Sequence, residues 1–227
     1  LTTDHNWWYC IYPMPDLKRL ICTKRLGLTV QFSIYQLKPA FQRLLQPLVK
    51  GLAAGGITPN QVTISTLLVS IAVAALLWQC AETPTVWWVF PLWMLLRMAF
   101  NALDGMLAVY QQQQTKLGAL LNEMADVLSD IALYLPLFAV TWLAPYWVLL
   151  LLLGSVLTEF AGILALQIGT TRRFDGPMGK SDRAFWLSLL AIGIALELDH
   201  TLLNSLLALI GMLTLVTCGN RLVKALK

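Results

Sequence analysis

Two stretches of this sequence place carboxylates and carboxamides inside otherwise apolar segments: NALDGMLA at residues 101–108 and GALLNEMADVLSD at residues 118–130. A charged side chain at membrane depth costs roughly 2.5–3.5 kcal/mol on insertion scales, so it usually marks a functional site. The two stretches therefore predict a polar site inside a membrane-embedded helical protein.

Within each stretch, the polar residues share one face of a helix. Asn101 and Asp104 are three residues apart, and the small Ala108 follows on the same side. In the second stretch the spacing is four residues throughout, and this set consists of Gly118, Asn122, Asp126 and Asp130. We expect two helices joined by a short turn, with their polar faces directed at one cavity.

Composition predicts the same fold class. The chain is 58% hydrophobic and 12% charged, with a mean hydropathy of +0.68, whereas soluble domains carry about 25% charge. We therefore predict an all-α integral membrane protein with six transmembrane helices. The net charge of +4 is modest, and we expect no nucleic-acid partner. The predicted spans are about 60–79, 85–108, 116–142, 146–168, 183–198 and 201–221.

The distribution of lysine and arginine predicts the orientation of these spans. The turns near 80–84, 143–145 and 199–200 contain neither residue, so the positive-inside rule places both termini and the polar cavity on the cytoplasmic side. Arg97 lies well inside a span, and we expect it to balance an acid such as Asp130 or Glu159. Pro91 and Pro136 lie inside predicted spans and are expected to kink them.

The segment before the first span has a different pattern. Apolar residues recur at helical spacing from Leu37 through Phe41, Leu44 and Leu48 to Leu52, which predicts an amphipathic helix in the cytoplasmic membrane interface. A linker helix in water is the alternative. Thr58 and Pro59 are expected to cap and begin the first span. The predicted organisation is an N-terminal extension of unknown role (1–33), the amphipathic helix (34–58) and the transmembrane domain (59–227).

The polar motif resembles the signature of the CDP-alcohol phosphotransferase family. The sequence has Asn101-x2-Asp104-Gly105-x2-Ala108, nine further residues and then Gly118-x3-Asn122-x3-Asp126. The family signature is Asp-x2-Asp-Gly-x2-Ala-Arg, a short spacer and Gly-x3-Asp-x3-Asp. The resemblance extends over roughly residues 34–225 and is greatest to a little-described bacterial branch.

The resemblance implies both a fold and a reaction. It implies six transmembrane helices after an amphipathic helix, a homodimer in the bacterial inner membrane, and transfer of a substituted phosphate from a CDP-alcohol to an acceptor alcohol with release of CMP. We favour CDP-diacylglycerol as donor because the loops are short, and we expect Mg²⁺ or Mn²⁺ as cofactor. Asp104 takes a metal-ligand position and Asp126 that of the base, while Gly105, Ala108 and Gly118 take the small positions beside the nucleotide.

Three positions depart from the signature. Asn101 and Asn122 replace aspartates, so each keeps an oxygen ligand and loses one negative charge, and Val109 replaces the arginine. Because Mg²⁺ favours carboxylates, we expect weaker binding or fewer ions. Glu123 and Asp130 are candidate compensating acids. The candidate phosphate partners in place of the arginine are Lys116, Lys180 and Arg183.

The residues leave two other functions open. The buried charges Asp104, Asp126, Asp130, Glu159 and Arg97 would suit an ion-coupled transporter, although the sequence shows no inverted internal repeat. The departures from the signature would suit a catalytically silent relative that binds a CDP-lipid. The acceptor alcohol is not specified by the motif.

Overall fold

The computed structural model describes residues 38–227, and every regular element in that part of the chain is helical. The α-helices there are α1 (Lys38–Ala54), α2 (Pro59–Gln79), α3 (Val89–Tyr110), α4 (Lys116–Tyr134), α5 (Pro145–Gln167), α6 (Lys180–Ala195) and α7 (His200–Ala225). A 3₁₀ segment, Pro84–Trp88, precedes α3, and a second, Leu135–Ala139, follows α4. The predicted N-terminal extension and Leu37 lie outside the described residues.

Side-chain caps set the starts of α2, which packs beside the polar motif, and of α4, which carries its second half. At α2, the Thr58 hydroxyl accepts a hydrogen bond from the backbone N–H of Gln61, and the Gln61 side-chain oxygen accepts one from the backbone N–H of Thr58. Pro59 occupies the first helical position. The predicted cap is therefore confirmed. At α4, the Thr115 hydroxyl accepts from the N–H of Gly118 at 3.0 Å. Both caps satisfy backbone donors that have no partner within their helix.

The two prolines predicted to kink spans act differently. Pro91 is the third residue of α3, where a missing N–H costs no intrahelical hydrogen bond. Pro136 ends the α-helical geometry, so α4 stops at Tyr134 and the chain continues as the Leu135–Ala139 3₁₀ segment. The prediction of a single kinked span over 116–142 is therefore wrong at Pro136, where the α-helix has already ended.

Four helices in the described part of the chain are long and apolar enough to cross a membrane. The other two predicted spans fall short by these measures: α4 carries four charged residues, and the 16 residues of α6 extend about 24 Å, less than a hydrocarbon core of about 30 Å. The four helices that are long and apolar enough are Pro59–Gln79, Pro84–Tyr110, Pro145–Gln167 and His200–Ala225.

Helix α1 packs through a different stripe from the predicted one. Leu45 and Val49 are buried against α2 and α3, whereas Leu44 is 72% and Leu48 56% exposed. Leu44 and Leu48 were expected on the same face as Phe41, which packs partly against the buried cluster. Helix α1 thus has an apolar side toward the protein and further leucines pointing away from it.

Helices α5 and α7 approach closely through small residues. Gly154 on α5 lies against Thr214 on α7, so a methyl group at Gly154 would overlap the Thr214 hydroxyl. Near the other end of the pair, a methyl group at Gly162 would lie 2.8 Å from the backbone oxygen of Arg173. Such close backbone packing is typical of helices in membranes.

Substituting Gly154→Ala should lower stability by about 1–3 kcal/mol because the added methyl cannot be accommodated. Gly219→Ala on α7 is the matched control, since a methyl there meets nothing within 4 Å. The control should be neutral or stabilising by roughly 0.5–1 kcal/mol, because alanine favours a helix over glycine. Thermal unfolding in detergent measures both, and equal melting temperatures would contradict the packing.

Candidate active site

Asp104 is buried between α2 and α3, with two donors on its carboxylate. Thr63 on α2 donates from Oγ1 to Asp104 Oδ2 at 2.9 Å, and the N–H of Gly105 donates to Oδ1 at 2.6 Å. The residue is 4% exposed. Its carboxylate is therefore directed into the protein toward α2.

Asp126 on α4 faces α3 and the start of α6. Asn101 donates from Nδ2 to Asp126 Oδ1 at 2.8 Å, and Lys180 forms an ion pair with the same oxygen. Arg97 donates to the backbone carbonyl of Asp126 at 3.0 Å. The Asp126 side chain is 22% exposed, so a molecule in the adjoining cavity can reach it.

An open cavity of about 380 Å³ lies beside Asp126. Helices α3 to α7 and the loop before α6 all contribute to its wall. Charged and amide side chains predominate in the wall, so the cavity suits a polar ligand. Its lining residues are Asn101, Asn122, Glu123, Asp126, Glu159, Arg172, Phe174, Gly179, Lys180, Ser181, Asp182 and Arg221.

A smaller cavity is also lined by Asn122, which the two cavities share. Gly118 is tightly surrounded there, since a methyl group on it would lie 3.0 Å from Asn60 Oδ1 and 3.1 Å from Thr115 Oγ1. The four polar motif positions thus surround two adjoining cavities. The smaller one is lined by Pro59, Asn60, Thr63, Asp104, Gly105, Ala108, Gln113, Gly118 and Asn122.

A buried ion network lies behind this site. Asp130, one helical turn after Asp126, binds Arg97 at 2.6 Å and Arg183 at 3.0 Å. Arg183 also binds Glu159 on α5 at 3.0 Å. Of the two acids expected to balance Arg97, Asp130 is its partner, and Glu159 pairs with other arginines. The network joins α3, α4, α5 and α6 through charged groups that would be costly to bury alone.

Glu159 is a second centre of ion pairing. Arg172 from the loop after α5 lies 3.3 Å from Glu159 and also pairs with Glu123 on α4. Arg221 on α7 lies 3.6 Å from Glu159 and donates to the backbone carbonyl of Thr158. The loop and the end of α7 are therefore held against α4 and α5.

The structure distributes the predicted phosphate partners and compensating acids differently. Lys180 lines the larger cavity, Arg183 is completely buried in the ion network, and Lys116 is exposed at the start of α4. Glu123 is engaged by Arg172, and Asp130 by two arginines. Of the three basic residues, Lys180 is thus the one beside the motif carboxylates.

Sequence reasoning did not single out Asn60, Thr63 or Arg221 as site residues, whereas Arg172 begins a basic loop (172–183) expected either to gather an anionic acceptor or head group or to be ordinary cytoplasmic charge. Thr63 carried only a weak signal, because hydroxyl groups in apolar helices commonly bond their own backbone. The convergence of Arg172 and Arg221 on Glu159 depends on how α5 and α7 pack, and local spacing does not encode that packing.

In the part of the chain that the structure describes, no cluster of three or more His, Cys, Asp and Glu side chains could hold a metal ion. The reason is the motif itself, where two of the four oxygen-bearing positions are asparagine. The motif still presents two carboxylates and two carboxamides. These are oxygen donors of the kind that hard divalent cations bind.

The matching sequence model covers residues 56–218 and describes CDP-alcohol phosphatidyltransferases. The chain belongs to this family. Together with the apolar helices, membership supports a membrane-bound transferase of phospholipid biosynthesis.

Individual relatives extend the comparison. Over 190 residues the chain is 42% identical to the inner membrane protein YnbA of Escherichia coli K12, covering 83% of this chain and 94% of YnbA. It is 34% identical over 100 residues to the phosphatidylinositol phosphate synthase of Mycobacterium marinum. This match covers 43% of this chain and 40% of that protein.

Solved structures show the same fold. The Mycobacterium tuberculosis phosphatidylinositol phosphate synthase PgsA1 with CDP-DAG bound has a TM-score of 0.70 at 22% identity, covering 81% of this chain and 94% of that one. The structure of PgsA1 with manganese and citrate has a TM-score of 0.69 at 22% identity, and the match covers 80% of this chain and 88% of that one.

Arg183→Ala should lower stability by about 3–5 kcal/mol, because it leaves Asp130 and Glu159 in the bundle with one partner fewer. Lys224→Ala is the control: its surface pair with Asp175, at 2.7 Å, is expected to contribute about 0–1 kcal/mol. That hydrogen bond lowers the pKa of the Asp175 carboxyl. Melting temperatures in detergent measure both variants. A wild-type melting temperature for Arg183→Ala would contradict the structural role.

Proposed function

We propose that this chain transfers a substituted phosphate from a CDP-alcohol to the hydroxyl of an acceptor alcohol and releases CMP. The observation that carries the proposal is the meeting of Asp104, Asn122 and Asp126 around two adjoining cavities, with Asn101 bonded to Asp126. Family membership supports this class of reaction. The PgsA1 structure with CDP-DAG bound supports CDP-diacylglycerol as the donor.

The nucleotide is proposed to approach the helices at Gly105, Ala108 and Gly118, the small residues that line the smaller cavity, whose volume is only about 10 Å³. Val109, at the position of the family's arginine, is 40% exposed and lines neither of these two cavities. We assign the contact with the donor phosphates to Lys180, because it lines the larger cavity beside Asp126.

The four oxygen-bearing side chains of the motif suit one divalent cation, Mg²⁺ or Mn²⁺. Asp104 and Asp126 supply two negative charges, and Asn101 and Asn122 supply neutral oxygens, so one such ion balances the set. The manganese complex of PgsA1 supports a metal at this fold. A bound divalent ion would neutralise charge on the diphosphate oxygens and orient an in-line attack.

Asp126 is the proposed general base. It accepts the proton of the acceptor hydroxyl as that oxygen bonds to the phosphorus that carries the donor's alcohol. The bond from this phosphorus to the oxygen bridging the two phosphates breaks, and CMP leaves with the electron pair. Asn101 holds the Asp126 carboxylate in place, while Arg97 fixes its backbone.

The membrane arrangement is part of the proposal. Helices α2 to α7 form six spans, and α1 lies in the cytoplasmic interface with the exposed Leu44 and Leu48 toward lipid. Both termini face the cytoplasm in this proposal, and the inner-membrane description of YnbA supports the choice of a bacterial inner membrane. The domain limits 1–33, 34–58 and 59–227 and the homodimer also belong to this proposal.

One observation favours a second candidate, a catalytically silent CDP-lipid-binding relative. Asn101 and Asn122 leave the site with fewer carboxylates than the signature has. In such a protein the CDP-lipid would bind at the motif without turnover. The transporter hypothesis gains no comparable support, because Asp130 and Glu159 are held by buried arginines.

The first test incubates purified protein with Mg²⁺ or Mn²⁺, CDP-diacylglycerol and a panel of acceptor alcohols, with CMP release as the readout. Asp126→Asn should abolish release because it removes the base. Asp175→Asn, which neutralises a carboxylate outside both cavities, should retain wild-type turnover. Full activity in Asp126→Asn would eliminate the proposed base, and absence of release from wild-type protein with every acceptor would favour the silent relative.

The second test measures Mn²⁺ binding by calorimetry and electron paramagnetic resonance. Asn101→Asp should tighten binding by about tenfold because it adds a carboxylate to the donor set. Asn220→Asp makes the same chemical change at an exposed position of α7 and should leave the affinity unchanged. An unaltered affinity in Asn101→Asp would remove residue 101 from the ligand set.

A further inference from the structure

We infer that the acceptor alcohol carries no net negative charge and belongs to the class of unphosphorylated polyols. The inference rests on the proposed transferase function and adds the chemistry of its second substrate. It comes from the charges that surround the larger cavity, where the acceptor must approach Asp126.

The wall of that cavity has no surplus of positive charge. Among the described residues that line it, three are cationic and four are anionic. Behind the wall lie Arg97, Arg183 and Asp130, which bring the total to five cations and five anions. The cationic side chains of the wall are Arg172, Lys180 and Arg221, and the anionic ones are Glu123, Asp126, Glu159 and Asp182.

The cations are also already engaged by carboxylates. Arg172 lies between Glu123 and Glu159, and Arg221 lies 3.6 Å from Glu159. Lys180 is paired with Asp126. A phosphate on the acceptor would have to displace a carboxylate from an arginine, and that carboxylate would remain beside it as a like charge.

Donor binding does not create a cationic surplus. The diphosphate of the donor brings one negative charge on each phosphate and one divalent ion brings two positive charges, so binding both leaves the net charge of the site unchanged. An ion held by Asp126 would release Lys180 from its pair with Asp126 and leave it available to the donor phosphates. The charges around Arg172, Arg221 and Glu159 therefore stay balanced when the acceptor enters.

An uncharged polyol fits this wall better. Its hydroxyl groups both donate and accept, so they can bond the Glu123 and Glu159 carboxylates and the Ser181 hydroxyl without breaking an ion pair. The cavity volume of about 380 Å³ is within the usual range of roughly 300–1,000 Å³ for small-molecule sites.

The test compares matched acceptors: glycerol with glycerol 3-phosphate, and inositol with inositol 1-phosphate. CMP release from CDP-diacylglycerol should be at least about tenfold faster with the unphosphorylated member of a pair, since like charges in a partly buried site repel strongly. Faster release with the phosphorylated members would overturn the inference and leave the proposed transferase function intact.

A variant of Glu123 tests whether the charge of the cavity wall causes the preference for unphosphorylated acceptors. Glu123→Gln removes one carboxylate from Arg172 and should raise the relative rate with the phosphorylated acceptor by about tenfold. Glu197→Gln, the same chemical change at an exposed position after α6, should leave the preference unchanged. An unchanged preference in Glu123→Gln would contradict the role of wall charge.

Binding provides a readout that does not need turnover. Ligand-observed NMR with the wild-type protein in nanodiscs, supplied with Mg²⁺ and CDP, compares the same acceptor pairs. Glycerol 3-phosphate and inositol 1-phosphate should bind no more tightly than their parent polyols. Tighter binding of the phosphates, abolished in Arg172→Gln, would overturn the inference even if no CMP were released.

Discussion

The ion pairs of Asp130 with Arg97 and Arg183 are the interaction on which the rest of the structure depends. A charge inside an apolar bundle must be paired, and removing one partner costs far more than a surface ion pair contributes. Asp130 lies one turn after Asp126 on the same face of α4. Pinning Asp130 between α3 and α6 therefore fixes the rotation of α4 and directs Asp126 into the cavity.

The same pairing extends to the cavity wall and defines the chemistry of the site. Glu159 holds Arg183 from within the bundle, Arg172 from the loop before α6, and Arg221 from the end of α7. The polar wall is consequently a set of mutually neutralised groups. The neutral side chains of Asn101 and Asn122 preserve this balance of charge. Aspartates at both positions would leave the site more negative than its cations can offset.

Much of this arrangement could be predicted from sequence, because it depends on local spacing. Thr58 and Pro59 predicted the start of α2, and the motif predicted the shared faces of α3 and α4. Arg97, well inside a span, predicted a buried acidic partner. Other features needed tertiary packing. Neighbouring leucines such as Leu44 and Leu45 differ by about 100° around a helix, so the pattern left open which one the bundle buries. Arg183 looked like a charge at the cytoplasmic edge of a span, because the predicted span began at residue 183 and the helix begins three residues earlier, at Lys180.

The most direct test of the account is an experimental structure of the protein with Mn²⁺, in which anomalous scattering locates the ion. The account predicts a single manganese ion at the motif, with Asp104 and Asp126 among its ligands and the Asp130–Arg183 pair intact behind it. Two ions at the motif, or a site that leaves Asp104 and Asp126 on separate faces of the bundle, would contradict it.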